Sequence, residues 1–168
     1  MTVAYVGLGA NIGEPRRQLQ DALQELGTLP KTRITATSGF YRSAPVGYLD
    51  QPEFLNAVAE LDTALAPGLL LEGLQKIENR HGRERSFANA PRTLDLDLLL
   101  YGDSIVDTPW LTLPHPRMHE RAFVLVPLLE IAPQVSIPGR GLAASYLTGA
   151  PHGLQPVSDT WSAHSAQT

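Results

Sequence analysis

The chain contains no cysteine. That excludes disulfide bridges, thiolate nucleophiles and zinc–thiolate centres, and it agrees with a reducing, cytoplasmic setting. Positive charge is also scarce: 13 Lys and Arg stand against 17 Asp and Glu, a formal net charge of -4. Nucleic acids and anionic membranes select basic surfaces, so neither is an expected partner. No apolar run approaches the length of a membrane span, and the start, Met1-Thr2-Val3-Ala4-Tyr5-Val6, lacks the basic and apolar regions of a signal peptide. Also missing are internal repeats, heptads and the phosphate-binding pattern G-x-x-x-x-G-K-[ST].

What is present fits one globular domain. The 168 residues are 43% hydrophobic and 18% charged, enough for an ordinary core. We expect that domain over residues 1–149 and a polar, disordered tail over 150–168.

The stretch Pro91 to Tyr101 carries the strongest chemical signal. As a strand it places Leu94, Leu96, Leu98 and Leu100 on one face and Asp95, Asp97, Leu99 and Tyr101 on the other. Two carboxylates on one face of an apolar strand repel each other unless a cation neutralises them or solvent screens them. Magnesium suits the first reading, since it takes one or two protein carboxylates and completes its octahedron with phosphates and water. A solvated sheet face suits the second. Arg80, Arg83, Arg85 and Arg92 cluster just upstream and favour an anion site for a small polyanion such as a nucleotide.

Along the chain, Val3 to Leu8 reads as a first strand ending in the loop Gly9-Ala10-Asn11-Ile12-Gly13. Helix one starts at Pro15, with Leu19, Ala22, Leu23 and Leu26 on one side and Gly27 as its stop. Gly7, Gly9 and Gly13 miss the dinucleotide-binding spacing by one residue and read as turn glycines. Arg33 to Tyr41 forms a second strand, followed by the long loop Arg42 to Pro52. A third strand runs from Glu53 to Leu61, with Phe54, Asn56 and Val58 on one face. A carboxamide in that setting must be satisfied, either by nearby backbone or by a heterocycle's donor–acceptor edge.

Helix two begins at Pro67, turns Leu70, Leu71, Leu74 and Ile77 inward, leaves Gln75 and Glu78 off that stripe and closes at Gly82. The aspartate strand follows an irregular basic loop. Short extended pieces at Ile105-Val106 and Leu111 to Leu113, a helix from Val124 to Ile131 and a short helix near Leu142 to Leu147 complete the chain. The order β-α-β-β-α-β indicates an α+β domain, an antiparallel sheet covered by helices in ferredoxin-like connectivity with long catalytic loops.

Several motifs in this order, over roughly residues 3 to 134, resemble the 6-hydroxymethyl-7,8-dihydropterin pyrophosphokinases of folate biosynthesis. They are Gly9-Ala10-Asn11-Ile12-Gly13, Phe40-Tyr41-Arg42-Ser43, Gln51 to Asn56, Ile77-Glu78, Gly82-Arg83-Glu84-Arg85, Pro91 to Asp97, Pro114-His115-Pro116 and Arg121-Ala122-Phe123. The resemblance implies an ATP-dependent transferase that passes diphosphate from ATP to the pterin hydroxymethyl oxygen and releases AMP. It implies catalytic roles for Asp95, Asp97, Arg83 and Arg92, with Asp95 and Asp97 holding two magnesium ions. Gln75, Glu78, Arg85, Leu98, Thr112, His115 and Arg121 match nucleotide-side positions. Ser43, Ala44, Val46, Phe54, Asn56 and Phe123 match the pterin side, where Asn56 would read the ring edge between two phenylalanines.

The small molecules ATP and hydroxymethyldihydropterin are therefore the expected partners, with the protein acting as a monomer. Ala88-Asn89-Ala90 departs from the Arg-Trp-Gly of many relatives. Two other classes share some of these features. A nucleotidyl-transferring enzyme would use the same carboxylates along a basic track, and a ligand-binding module would need no carboxylate pair.

Overall fold

A computed structural model describes residues 1–11, 13–43, 53–83, 94–147 and 153–157. Strand β1, Thr2–Ala10, lies between β4, Phe54–Thr63, and β5, Asp95–Tyr101, antiparallel to both. On the far side of β4, two successive strands share its edge, β2 at Thr32–Thr37 and β3 at Tyr41–Ser43. With a last strand, β10 at Gln155–Pro156, the six-stranded sheet runs β10-β3-β4-β1-β5, with β2 also on β4, so β5 is an edge strand.

The second strand is thus broken where the sequence suggested one run from Arg33 to Tyr41. Three residues lie between Thr37 and Tyr41, but only two lie between their partners Ala59 and Asn56. Ser38 absorbs the mismatch: its N–H donates to Val58 O at 2.9 Å, and its Oγ accepts from Val58 N at 2.9 Å. One side-chain oxygen replaces a backbone carbonyl there, and the ladder resumes at Tyr41 one residue out of step.

Helices α1, Pro15–Gly27, and α2, Pro67–Glu78, cover one face of the sheet. Their buried residues, Leu19, Ala22, Leu23 and Leu26 with Leu70, Leu74 and Ile77, meet Val6, Leu8, Leu96 and Leu98 in one apolar cluster. The periodic stripes are as expected except that Leu71 is only partly buried and Glu78 is buried. After α2 the backbone continues as a wide turn over Asn79–Arg83, with Gly82 at φ 93°.

Helix α3, Ala122–Ile131, covers part of the other face, packing on Tyr5, Val58, Leu99 and Leu100. It begins two residues earlier than its apolar run suggested, so Pro127 lies in its interior. Glu130 ties it down, accepting from Tyr41 Oη–H at 2.6 Å and from Gly39 N at 3.1 Å. Burial first, and then this carboxylate, push the Tyr41 phenol up to about 12.

Leu100 and Tyr101 are on opposite faces from those that simple alternation assigns. Tyr5 pairs with Leu100 but Val6 pairs with Leu98, so Leu99 is an extra residue in β5. That bulge sends Leu99 and Leu100 toward α3 and returns Tyr101 to the helix-covered face, where its hydroxyl donates to Leu65 O at 2.6 Å. Beyond β5, a hairpin of β6, Val106–Asp107, and β7, Thr112–Leu113, is pinned to the sheet edge where His115 N donates to Leu99 O at 2.9 Å.

A second small hairpin, β8 at Ser136–Ile137 with β9 at Gly141–Leu142, leads into a 3-10 turn at Ala143–Tyr146, in place of the short helix expected near Leu142. The tail expected to be disordered from residue 150 contains a strand, β10 at Gln155–Pro156, paired with β3. Leu154 and Val157 beside it are buried, which gives this part of the tail a stake in the core. No helix among the described residues is long and apolar enough to cross a membrane.

Candidate active site

The two faces of β1 explain where a ligand can enter. Val6 and Leu8 point into the helix-covered core, while Gly7 and Gly9 point to the opposite face, where Ala122, Phe123 and Val124 at the start of α3 border the same cleft. Gly9 is paired with Asn56 on one side and Asp95 on the other; Gly7 is paired in the same way with Val58 and Asp97. Two rows therefore cross three strands, each with a glycine at its centre; beside Gly7 the Leu99 side chain lies 3.5 Å from where a Cβ would be, whereas Gly9 meets only Asn56 Oδ1. A cleft of about 630 Å³ opens over them.

Its walls bring together much of what the sequence pointed to. Ser43, Phe54 and Asn56 stand on one side, Asp95 and Asp97 on the other, and Arg121 and Phe123 close it from the start of α3. The aspartates share a face, as alternation requires, and both are partly exposed. Asn56 is 4% exposed, and its Nδ2 donates to Ser43 Oγ at 2.8 Å and Tyr41 O at 3.4 Å. Its Oδ1 lies 3.5 Å from where a Cβ on Gly9 would be, so the carboxamide leans over the glycine floor. The Arg121 guanidinium sits 5.5 Å from the Phe123 ring centroid, an arrangement that orients both.

The remaining nucleotide-side candidates gather around the open edge of β5 rather than in this cleft. Glu78 is buried there and accepts from Leu96 N at 2.6 Å. That bond shows which backbone groups of β5 face away from β1, and alternation gives Leu98 the same outward direction. The Leu98 side chain itself is in the core. Gln75 is exposed on α2 and Thr112 on β7. His115 Nδ1 accepts from Arg117 N at 3.1 Å. Burial holds this imidazole below its ordinary pKa; the charge of Asp97 pulls the other way, and Arg121 and Arg117 reinforce the lowering. His115 and Arg121 therefore share an electrostatic environment with Asp97.

Some expectations fall elsewhere. Ala44, Val46, Arg85, Arg92 and the Ala88-Asn89-Ala90 departure lie outside the described residues, and of Arg83 only the backbone is described. Arg80 is paired with α1: its Nε donates to Glu25 Oε1 at 2.8 Å. His81 bonds the same carboxylate through Nε2 and Gln18 Oε1 through Nδ1. Burial alone would raise the Glu25 pKa, but His81 and Arg80 together outweigh it and hold the carboxyl below its ordinary value.

Gly7 and Gly9 are the site residues that sequence reasoning missed, having been read as turn glycines; among the three only Gly13, at φ 78°, sits in a turn. Two glycines two residues apart inside an apolar strand were the available signal, since such positions mark close approach of a ligand or another backbone. Arg117 and Glu120, an ion pair at 3.4 Å, also line the cleft. A larger groove of about 840 Å³ borders the start of α1 and shares Phe54, but it contains neither aspartate.

A family model described as 7,8-dihydro-6-hydroxymethylpterin-pyrophosphokinase matches residues 5–133. Relatives named 2-amino-4-hydroxy-6-hydroxymethyldihydropteridine pyrophosphokinase include one from Pseudomonas aeruginosa, 52% identical over 139 residues that cover 82% of this chain and 86% of that one. One from Bacillus subtilis is 47% identical over 133 residues, 79% of this chain and 80% of that one. A solved Plasmodium falciparum structure, titled as HPPK-DHPS wild type with pteroate, superposes at a TM-score of 0.69 and 13% identity, over 86% of this chain. At that identity the likeness is one of fold, and this chain spans 41% of that longer one.

Proposed function

The chain belongs to the 7,8-dihydro-6-hydroxymethylpterin-pyrophosphokinase family, and from that premise we propose that it moves diphosphate from ATP to the hydroxymethyl oxygen of 6-hydroxymethyl-7,8-dihydropterin in folate synthesis. The observation that carries the proposal is one cleft with a carboxylate pair on one wall and Asn56, Ser43 and Phe54 on the other. A hydrogen-bonding edge and a charge-handling edge thus face each other across a glycine floor. On the same footing we count β2 and β3 as one interrupted strand and read the connectivity as ferredoxin-like.

In this reading Asn56 pairs with the pterin's amide edge while Phe54 and Phe123 hold the ring faces. Gly9, whose Cβ position meets only Asn56 Oδ1, lets the ring approach the sheet. The hydroxymethyl oxygen then lies toward Asp95 and Asp97, where it attacks the β-phosphorus of ATP; the bond from that phosphorus to the oxygen bridging toward the α-phosphate breaks, and AMP leaves. The hydroxyl proton is released to solvent or base as the new P–O bond forms. Glu78, Gln75, Thr112 and His115 border the nucleotide side, with Leu98 offering backbone rather than side chain. Arg121, and Arg83, Arg85 and Arg92 by resemblance, oppose phosphate charge.

Asp95 and Asp97 would hold magnesium. Their chemistry fits, because both offer hard oxygen on one face of the strand at the cleft wall. A pair of carboxylates suits an ion that takes its other ligands from substrate phosphates and water. When bound, such ions neutralise phosphate charge and align attacking and leaving oxygens.

Mixing protein, ATP, magnesium and hydroxymethyldihydropterin should yield AMP in step with pterin consumption. ADP in place of AMP, or no turnover with all three present, would refute the assignment. A nucleotidyl-transferring enzyme is disfavoured by the acidic chain, and a passive binding module leaves the carboxylate pair without a role.

A further inference from the structure

The β6–β7 hairpin presents an aromatic side chain that the proposed chemistry does not use. Leu111 and Leu113 are buried in the core cluster that contains Leu98, whereas Trp110 and Thr112 are exposed. Trp110 is 71% exposed, an unusual state for the largest apolar side chain.

Its backbone is nevertheless held tightly. Thr108 N donates to Leu111 O at 3.0 Å, Thr108 Oγ1 donates to the same oxygen at 2.9 Å, and Leu111 N donates to Thr108 Oγ1 at 3.0 Å. Trp110 therefore sits on the tip of a closed turn whose two ends are fixed. The hairpin in turn is fastened to the open edge of β5 through His115 N and Leu99 O.

We propose that Trp110 is the platform on which the adenine base of the nucleotide stacks as it lies along the open edge of β5. The inference rests on the reading of ATP as co-substrate and adds to it the residue that holds the base. Stacking needs a large π-face that is exposed beforehand and costs little to order. An indole on a pre-formed turn meets both conditions. The outward backbone of Leu98 can meet the edge of a base, but an edge contact leaves both faces of the purine in water; the indole would cover one of them. Any base could stack there, so Trp110 would contribute affinity for the nucleoside, and discrimination between bases would come from the strand edge.

The chain has two tryptophans, Trp110 and Trp161, so Trp161→Phe leaves Trp110 as the sole indole reporter. In that variant, a non-hydrolysable ATP analogue with magnesium should quench Trp110 emission, while inorganic tripolyphosphate with magnesium, which lacks a base, should not. Trp110→Ala should raise the KM for ATP by about 5- to 150-fold, the range expected for loss of one stacked base, with the KM for pterin unchanged and Trp110→Phe recovering most of the loss. Because the side chain is largely exposed, the alanine variant should unfold at nearly the wild-type temperature. Equal quenching by tripolyphosphate, quenching by pterin alone, or an unchanged KM for ATP in Trp110→Ala would overturn the proposal. Release of AMP by the wild-type protein is scored separately, so failure of the stacking assignment is distinct from failure of the proposed reaction.

Discussion

The two faces of the sheet are built from the same strands and behave as different materials. On the helix-covered face, β1, β4 and β5 contribute Ala4, Val6, Leu8, Ala57, Ala59, Leu96 and Leu98, all buried under α1 and α2. On the other face the same strands place Gly7, Gly9, Asn56, Asp95 and Asp97, with α3 covering only the end that carries Tyr5, Val58, Leu99 and Leu100. Alternation with a period of two lets a single strand be core on one side and reactive surface on the other. Substitutions one residue apart should therefore have opposite kinds of effect.

The largest contrast is between Asp97 and Leu96. Asp97→Ala should lower turnover by on the order of 10³-fold, the scale of losing a charge-handling group at a reacting centre, and leave the unfolding midpoint close to wild type. Leu96→Ala should do the reverse, costing about 2–5 kcal/mol of stability in urea titrations while the folded fraction keeps its kcat. If Asp97→Ala unfolds the protein, or if Leu96→Ala spares stability, the division between faces is wrong.

Within the cleft, Asn56→Leu should weaken pterin binding by about 1–3 kcal/mol for each polar group it leaves unpaired, and calorimetry with the ATP analogue should show almost no change. Parallel losses for both ligands would make Asn56 a structural residue that serves Ser43 and the β3 edge. Gly9→Ala is a finer probe. Its Cβ would meet Asn56 Oδ1 at 3.5 Å, an ordinary contact, so the fold should tolerate it. The added methyl occupies the floor, and pterin affinity should drop by roughly tenfold, as for one misplaced methylene in a fitted pocket. Unchanged affinity would show that the ring does not reach β1.

The smallest effect belongs to the helix-covered side. Because Glu25 has a folded-state pKa below its unfolded value, its contribution to stability is fully present above the ordinary carboxylate range and is lost as pH falls through the lowered folded value. Glu25→Gln should flatten the acid limb of the stability profile below about pH 4.5 and leave AMP release at neutral pH unchanged. An altered KM for ATP at neutral pH would instead connect the Glu25–His81–Arg80 cluster to the arginine-bearing segment that follows it.

Much of this molecule is written locally. The helices from Pro15 and Pro67 show in the spacing of their leucines, and the shared face of Asp95 and Asp97 follows from alternation alone, because each depends only on neighbours within a few residues. Asn56 was legible as a polar group needing partners, though which partners was not. Other features exist only once distant strands pair. Leu99 becomes an extra residue because β1 and β5 slip by one between Tyr5 and Val6, and a one-residue slip exchanges faces for everything beyond it. Gly9 becomes a floor because Asn56 and Asp95, far apart in the chain, are brought to either side of β1. Glu78 looks like a surface residue on its helix and is buried because Leu96 presents an N–H at a sheet edge that only the assembled strands create. Periodicity is a property of the chain, whereas register and edges are properties of the sheet, and the cleft is made from the second.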